Sequence, residues 1–228
     1  MKTPAIPPSD QMRTVDIPLG AVLLQAHLLI PEDAQGLIIF THAGARLRYI
    51  RRDMAIAREL HRYKLAALCV DLLSDNEAAT YHNRFNVSLL TERLLGVTSW
   101  AMRASPTRML PIGYFASGAT AAAALKSANC APQGAKAIVS IGGRVDLAAD
   151  DMPRVAVPTL LIVGNDDYAV REANNRALKM LTCRKKMAVI AHATHLFDHP
   201  EALECVVRLA SSWFHKYVRP SRFRRRRQ

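Results

Sequence analysis

The chain has few cysteines, and none of them pair at metal-binding or redox spacing. Only four of its 228 residues are cysteine, and these are widely scattered: Cys69, Cys130, Cys183 and Cys205. The scatter argues against a zinc site or a CxxC redox pair. A phosphate-cradling GxGxxG motif or P-loop is also missing. The sequence therefore predicts neither a metal nor a cofactor, and the cysteines are interpreted as reduced structural thiols.

Long hydrophobic runs are missing too. Half of the residues are hydrophobic, but no apolar run approaches the roughly 20 residues that span a bilayer. The first eight residues, MKTPAIPP, contain no apolar stretch typical of a secretory signal. We therefore expect a cytoplasmic protein with no membrane span and with enough apolar residues for a sizeable core.

Acidic side chains are scarce, above all near the end of the sequence. Thirty-one Lys and Arg against 19 Asp and Glu give a net charge of +12, and the segment from Arg219 to Gln228 holds six arginines and no acid. Such a run is typical of a solvated, disordered tail, but it also suits weak contact with anions or nucleic acid. Phe223 is its one aromatic residue, which is too little for a base-stacking platform. We predict disorder over residues 1–12 and 219–228, flanking a single domain over 13–218.

Between these ends, short strand patterns alternate with helical patterns. Thr14 to Ile30 alternates around Gly20, which predicts an antiparallel hairpin. Continuous apolar runs such as Leu37–Phe40 are typical of strands buried on both faces. Helical spacing follows in segments such as Val87–Ala104, whereas Asp71–Asn86 is predicted to be a polar loop. The pattern predicts an α/β fold, with a mostly parallel, doubly wound sheet, an N-terminal antiparallel hairpin and helices on both faces.

The stretch from Ile112 to Ala121, IGYFASGATA, carries the strongest indication of chemistry. An apolar run meets a turn of tiny side chains and then an Ala-rich segment, which is the local setting of the nucleophile in α/β-hydrolases. Asp167 and then His195 follow in later loops, so the order nucleophile, acid, base is the hydrolase order. Asp167 would orient His195 as the base. Asp166 competes for this role, although spacing to the next helix favours Asp167.

The loop after Phe40 is a candidate for part of an oxyanion hole. In hydrolases this loop supplies one backbone N–H, and the residue after the nucleophile supplies the other. Ala43 or Gly44 suits the first role because the backbone must approach the substrate oxygen. With the elbow at Gly118, Ala119 suits the second.

Two arginines near the same edge of the sheet are candidates for binding a substrate carboxylate. Arg144 has the fork geometry for a bidentate contact, but a pair with Asp146 that holds the loop is the alternative. Arg48, near the oxyanion loop, raises the same question.

Seven stretches match a known pattern together, although none is specific alone: 40–44 (FTHAG), 71–73 (DLL), 89–94 (LLTERL), 112–115 (IGYF), 140–147 (SIGGRVDL), 158–164 (PTLLIVG) and 193–197 (ATHLF). With them the chain resembles the dienelactone-hydrolase-like family of the α/β-hydrolase superfamily, in particular small bacterial hydrolases related to those fused to phosphoribosyltransferase domains. The resemblance covers about Val15 to Tyr217. It implies carboxylic ester hydrolysis, with Asp167 as the acid and His195 as the base.

The elbow departs from the family pattern. Family members read Gly-Ala-Ser-Thr-Gly where this chain has Ala116 to Thr120, so Gly118 stands at the nucleophile position and Ser117 comes one residue early. The turn needs small residues two before and two after the nucleophile. Centred on Gly118 these are Ala116 and Thr120, whereas centring on Ser117 brings in the bulky Phe115. The steric pattern favours Gly118, which tolerates the strained backbone but carries no nucleophile.

Three hypotheses follow. In the first, the chain is an active ester hydrolase in which Ser117 attacks through a shifted turn, aided by His195 and Asp167. In the second, it is a pseudo-hydrolase that binds a small-molecule ester or acid, or a partner. In the third, the arginine-rich tail carries the function. The substrate and the oligomeric state stay open.

Overall fold

The computed structural model describes residues 12–44, 46–130 and 134–219, and for residues 46–51 it describes the backbone alone. The predicted disordered N-terminus therefore lies outside the described residues, apart from Met12. The arginine-rich tail lies outside them as well, apart from Arg219.

An eight-stranded sheet forms the centre of the molecule. Its order is β1-β2-β4-β3-β5-β6-β7-β8. β1 pairs with β2, and β2 with β4, in antiparallel register, while all other neighbours are parallel. The predicted mostly parallel sheet with an N-terminal hairpin is confirmed. The strands are β1 (Arg13–Leu19), β2 (Val22–Leu29), β3 (Gly36–His42), β4 (Leu65–Asp71), β5 (Ile112–Gly118), β6 (Ala135–Gly143), β7 (Thr159–Gly164) and β8 (Lys185–Ile190).

Helices cover both faces of the sheet, as predicted. They are α1 (Arg46–Arg62), α2 (Asp75–Ala79), α3 (Val87–Ala101), α4 (Ala119–Cys130), α5 (Tyr168–Met180) and α6 (Pro200–Tyr217). On one face α3, α4 and α5 bury side chains such as Leu94 and Ala123 against the sheet. On the other, α1 and α6 do so with side chains such as Leu60 and Phe214. No helix among the described residues is both long and apolar enough to cross a membrane.

The prediction of a polar loop over residues 71–86 was wrong in part. It contains α2 and a 3-10 turn over Tyr81–Phe85. A capping box starts α2, because the Ser74 side chain accepts from the Glu77 N–H while the Glu77 carboxylate accepts from the Ser74 N–H. A serine followed by a glutamate three residues later is typical of a helix start. The helix itself is too short to show a periodic pattern of apolar residues.

Candidate active site

Gly118 forms the apex of the turn between β5 and α4. Its φ is +53°, in the left-handed region, and a Cβ built there would meet no atom within 4 Å. The turn is held from both sides, since the Thr120 hydroxyl donates to the Ser117 carbonyl at 2.8 Å and the Arg144 N–H donates to the Gly118 carbonyl at 2.9 Å. The turn therefore has the strained backbone and the open space of a nucleophile elbow, with no side chain at its apex.

Ser117 still belongs to β5, where it pairs with Ile141. Its φ is not positive, and strand alternation puts it on the same sheet face as the buried Phe115. No described hydrogen bond joins Ser117 to His195. The structure brings Gly118, rather than Ser117, to the apex of the turn.

Asp167 and His195 form a hydrogen-bonded pair at the same edge of the sheet. Nδ1 of His195 lies 2.9 Å from Oδ2 of Asp167. Asp167 also caps α5, since its Oδ1 accepts from the Val170 N–H at 3.4 Å. The His195 side chain is 47% exposed, against 21% for Asp167. When Nδ1 carries the proton and donates it to the Asp167 carboxylate, Nε2 is unprotonated and points away from Asp167. A general base needs such an unprotonated nitrogen.

Two glycines fix the position of the His195 loop. A Cβ on Gly142, whose φ is +52°, would lie 2.8 Å from the Cβ of His195. A Cβ on Gly164 would lie 2.1 Å from the Ala193 carbonyl oxygen. The loop thus rests directly on the ends of β6 and β7. Because β5 and β6 stay paired as far as Gly118, this contact keeps His195 beside the elbow.

Asp166, the competing acid, contacts the loop that carries His195 through its backbone. Its N–H donates to the Ala193 carbonyl at 3.0 Å, which ties the acid loop to the base loop. Asp167 is therefore the carboxylate that contacts His195, and Asp166 fixes the loop that carries it.

In the predicted oxyanion loop, one of the two candidate amides already has an acceptor. The Gly44 N–H already donates to Oδ1 of Asp71 at 2.7 Å. Gly44 has φ +77°, and a Cβ there would lie 2.9 Å from the Cβ of Ala78, so its role is to let α2 pack closely. No described hydrogen bond uses the N–H of Ala43 or of Ala119. Ala119 begins α4, whose first amides have no intrahelical acceptor. These two amides remain as candidate oxyanion donors.

The α2 segment, missed in the sequence, supports that loop through Glu77. Arg93 donates to the Glu77 carboxylate at 2.6 Å, and the Ser74 N–H donates to it at 2.9 Å. Burial acts to raise the pKa of Glu77, but the hydrogen bonds from Ser74 and Arg93 outweigh it and lower the pKa. Ala78, one residue on, is the side chain that packs against Gly44.

A buried ionic cluster lies under the start of the same loop. Nε2 of His42 lies 2.6 Å from Oδ2 of Asp53, and Nε of Arg52 donates to Oδ1 of Asp53 at 3.2 Å. The three residues are 2 to 4% exposed, and the Arg52 guanidinium lies 5.4 Å from the centre of the Phe115 ring. His42 ends β3, so this cluster fixes the strand end from which the oxyanion loop departs. This cluster could not be predicted from the sequence, since no local pattern links His42 to a helix residue eleven positions later.

Of the two candidate substrate-binding arginines, the structure describes the side chain of Arg144 only. The Arg144 guanidinium donates to both carboxylate oxygens of Asp146, at 2.9 and 2.8 Å. The hydrogen bond to Asp146 raises the pKa of Arg144, and the same contact lowers the pKa of Asp146. The loop-holding pair is thus the arrangement found. The Arg48 side chain lies outside the described residues. The part of the chain that is described holds no group of three or more His, Cys, Asp or Glu placed to bind a metal ion.

A sheet in this strand order, with an elbow after β5, an acid after β7 and a histidine after β8, defines the α/β-hydrolase fold. The crystal structure of a dienelactone hydrolase from Anabaena variabilis is 40% identical in sequence, with a TM-score of 0.86 over 92% of this chain and 99% of that one. The chain belongs to the dienelactone hydrolase family, as its sequence motifs predicted. It matches no protein-family model.

Two further comparisons place the family in context. Est1E from Butyrivibrio proteoclasticus has a TM-score of 0.75 at 16% identity over 89% of this chain and 98% of that one, which shows the shared fold. A Mycobacterium tuberculosis protein named as a putative phosphoribosyl transferase is 39% identical over 200 residues. That match covers 88% of this chain but 45% of the relative, so the chain spans less than half the length of this curated relative.

Proposed function

We propose that this chain is a pseudo-hydrolase, which binds a small carboxylic ester or acid and forms no acyl-enzyme. The observation that carries the proposal is Gly118 at the apex of the elbow, with φ +53° and empty space where a nucleophile side chain would project. The pairing of Asp167 with His195 supports retention of the acid and the base. Only the group that would attack the acyl carbon is missing.

The ligand class follows from the polar groups at the site. The free amides of Ala43 and Ala119 suit a carbonyl oxygen or a carboxylate, and the N-terminus of α4 adds a favourable dipole for negative charge. The family is named for hydrolysis of a lactone, a cyclic ester, which supports the same class.

Such a site could still hydrolyse an ester slowly, with water in place of a nucleophilic side chain. His195 would take a proton from water through Nε2, and the water oxygen would attack the acyl carbon while the carbonyl electrons move onto the oxygen held by the two amides. The tetrahedral species would then expel the alcohol, which recovers the proton from His195. Oxyanion stabilisation and binding alone are worth about 10³ to 10⁴ over water in serine proteases that lack their triad.

The active-hydrolase hypothesis requires Ser117 to take over the apex. Ser117 would have to leave its pairing with Ile141 and acquire the conformation that Gly118 now has. The hydrogen bonds that Thr120 makes with Ser117 oppose that shift. The pseudo-hydrolase is therefore the better supported of the two.

Adding the missing side chain tests the proposal. We expect Gly118→Ser to hydrolyse p-nitrophenyl acetate on the order of 100-fold faster than the natural chain or more, because an activated serine is the largest single contribution of a triad. Gly118→Ala is the matched control, since it introduces the same backbone strain without a hydroxyl. Gly118→Ser/His195→Ala should lose the gain. Equal rates in Gly118→Ser and Gly118→Ala would contradict the proposal.

A further inference from the structure

Two buried threonine hydroxyls lie between the segments that carry the two candidate oxyanion amides. Thr41 is near the end of β3, two residues before Ala43, and Thr120 directly follows Ala119 in the first turn of α4. The Thr41 hydroxyl donates to the Thr120 hydroxyl at 2.9 Å. The two threonines are 0 and 1% exposed, so this contact is shielded from water.

The Thr120 hydroxyl also binds the backbone of both strands. Its oxygen accepts from the Ser117 N–H at 3.2 Å. Its proton has two acceptors, the Ser117 carbonyl at 2.8 Å and the Thr41 carbonyl at 3.2 Å. A hydroxyl has one donor and two acceptor lone pairs, so the contacts with Thr41 and Ser117 use all of its hydrogen-bonding capacity. One side chain thus ties the end of β3 to the end of β5.

The register of the two strands ends before it reaches the candidate amides. On β3 the pairing with β5 ends at Thr41, two residues short of Ala43. Asp71 holds the Gly44 amide from the side of β4, and the Arg144 N–H holds the elbow from the side of β6. These two anchors lie on opposite sides of the site, whereas the threonine pair joins the loop to the elbow directly.

Two amides can share one ligand oxygen only when their relative position is correct. Each donor has to lie about 2.7 to 3.1 Å from that oxygen, so a small separation of the two segments removes one of the two hydrogen bonds. Ala119 is bonded covalently to Thr120, and only His42 stands between Thr41 and Ala43. The contact between the two hydroxyls therefore limits how far the two amides can move apart.

The geometry points to Thr41 and Thr120 as positioning residues, which hold the amides of Ala43 and Ala119 at the spacing that one ligand oxygen requires. The inference rests on the proposed function, in which both amides bind the same carbonyl or carboxylate oxygen. Both threonines are buried, so they act through the backbone and do not touch the ligand.

Titration with butyrate, a small carboxylate, tests this inference when the amide signals of Ala43 and Ala119 are followed by NMR of isotope-labelled protein. In the natural chain we expect both signals to shift with one dissociation constant. Thr120→Val keeps the size and the branching of the side chain but removes the hydroxyl. We expect it to weaken butyrate binding about tenfold, the effect of losing one hydrogen bond to a charged group. Thr120→Ser restores the hydroxyl and should bind butyrate as the natural chain does.

Thr107→Val is the matched control. The Thr107 hydroxyl donates to the carbonyls of Ala101 and Ala104, at 2.8 and 3.0 Å, and the residue is 1% exposed. It precedes β5, so it lies at the end of that strand opposite the elbow. This substitution also leaves buried carbonyls without a donor and should lower the melting temperature. It should leave butyrate binding unchanged, because no candidate amide depends on it.

The titration separates failure of this inference from failure of the proposed function. Equal butyrate affinity in the natural chain and in Thr120→Val would overturn the inference alone, and so would equal weakening in Thr120→Val and Thr107→Val. If butyrate does not shift both amide signals of the natural chain, the proposed ligand class and the inference are both wrong. Circular dichroism establishes that each variant is folded. If Thr120→Val is not, Thr41→Val replaces it, since it removes the donor of the same contact.

Discussion

At the scale of single residues, glycines determine the backbone geometry of the candidate site. Gly118 lies at the apex of the elbow turn with φ +53°, and under our proposal its missing side chain is what distinguishes this chain from an active ester hydrolase. A non-glycine residue in the left-handed region costs about 1 to 2 kcal/mol. The Gly118→Ser substitution should therefore gain activity while losing about that much free energy of unfolding.

Gly142 should prove as important for function as Gly118. Gly142→Ala places a Cβ 2.8 Å from that of His195, so the base must move away from the elbow. In the Gly118→Ser background we expect this substitution to abolish the gained esterase activity, measured with p-nitrophenyl acetate.

Gly20→Ala is the control for Gly142→Ala. Gly20 also has a positive φ, +63°, but its Cβ would meet nothing within 4 Å. It should cost only the backbone strain of about 1 to 2 kcal/mol and leave the gained activity intact. If both substitutions reduced activity equally, contact between Gly142 and His195 would not be what positions the base.

The elbow turn and the predicted oxyanion loop show which features of such a site a sequence can reveal. Sterics alone favoured Gly118, because Phe115 is too large for a turn centred on Ser117. The amide of Gly44, by contrast, is used by Asp71, a carboxylate 27 positions away. Small size is a local property that a sequence reveals, whereas the partner of an amide depends on the folded chain.

At the scale of elements, α2 supports the loop after β3, which carries the candidate oxyanion amide of Ala43. It packs on Gly44 through Ala78 and is tied to α3 through the pair of Glu77 with Arg93. The sequence indicated only a polar loop here, since five residues are too few to show helical periodicity. A long element such as α3 was predicted because its buried face repeats over several turns.

The support that Glu77 provides should depend on pH. Its pKa is lowered from 4.5 in the folded chain, so the stabilisation is present above pH 4.5 and is lost as pH falls through the lower, folded value. We expect Glu77→Gln to lower the melting temperature at pH 7 and the difference from the natural chain to shrink as the pH falls below 4.5.

Glu92→Gln is the matched control for this titration. Glu92 is an exposed residue of α3 with no described ion pair, so its loss should change the melting temperature little at any pH. A Glu77→Gln difference that stays constant from pH 7 to pH 3 would exclude ionisation of Glu77 as the source of the support.

At the scale of the whole molecule, the parallel sheet determines where the candidate site lies. Parallel strands bring the loops after β3, β5, β7 and β8 to one end of the sheet, and the candidate site lies at that end. The alternation of strand and helix patterns predicted this architecture, because period 2 and period 3.6 are properties of the sequence itself. The single domain over 13–218 stays a prediction.

The arginine-rich segment shows where prediction from sequence stops. The run of arginines after residue 218 is visible in the sequence, and so is its lack of acids. The sequence left open whether this segment is a solvated tail or makes weak contact with anions or nucleic acid, and residues 220–228 lie outside the described part of the chain.

Covalent labelling tests most directly whether the elbow lacks a nucleophile. The natural chain, Ser117→Ala and Gly118→Ser are incubated with a fluorophosphonate, and each is measured by intact mass. We predict no adduct on the natural chain or on Ser117→Ala, and a single adduct on Gly118→Ser. A single adduct on the natural chain that disappears in Ser117→Ala would contradict the account, since Ser117 would then be a working nucleophile in a shifted turn.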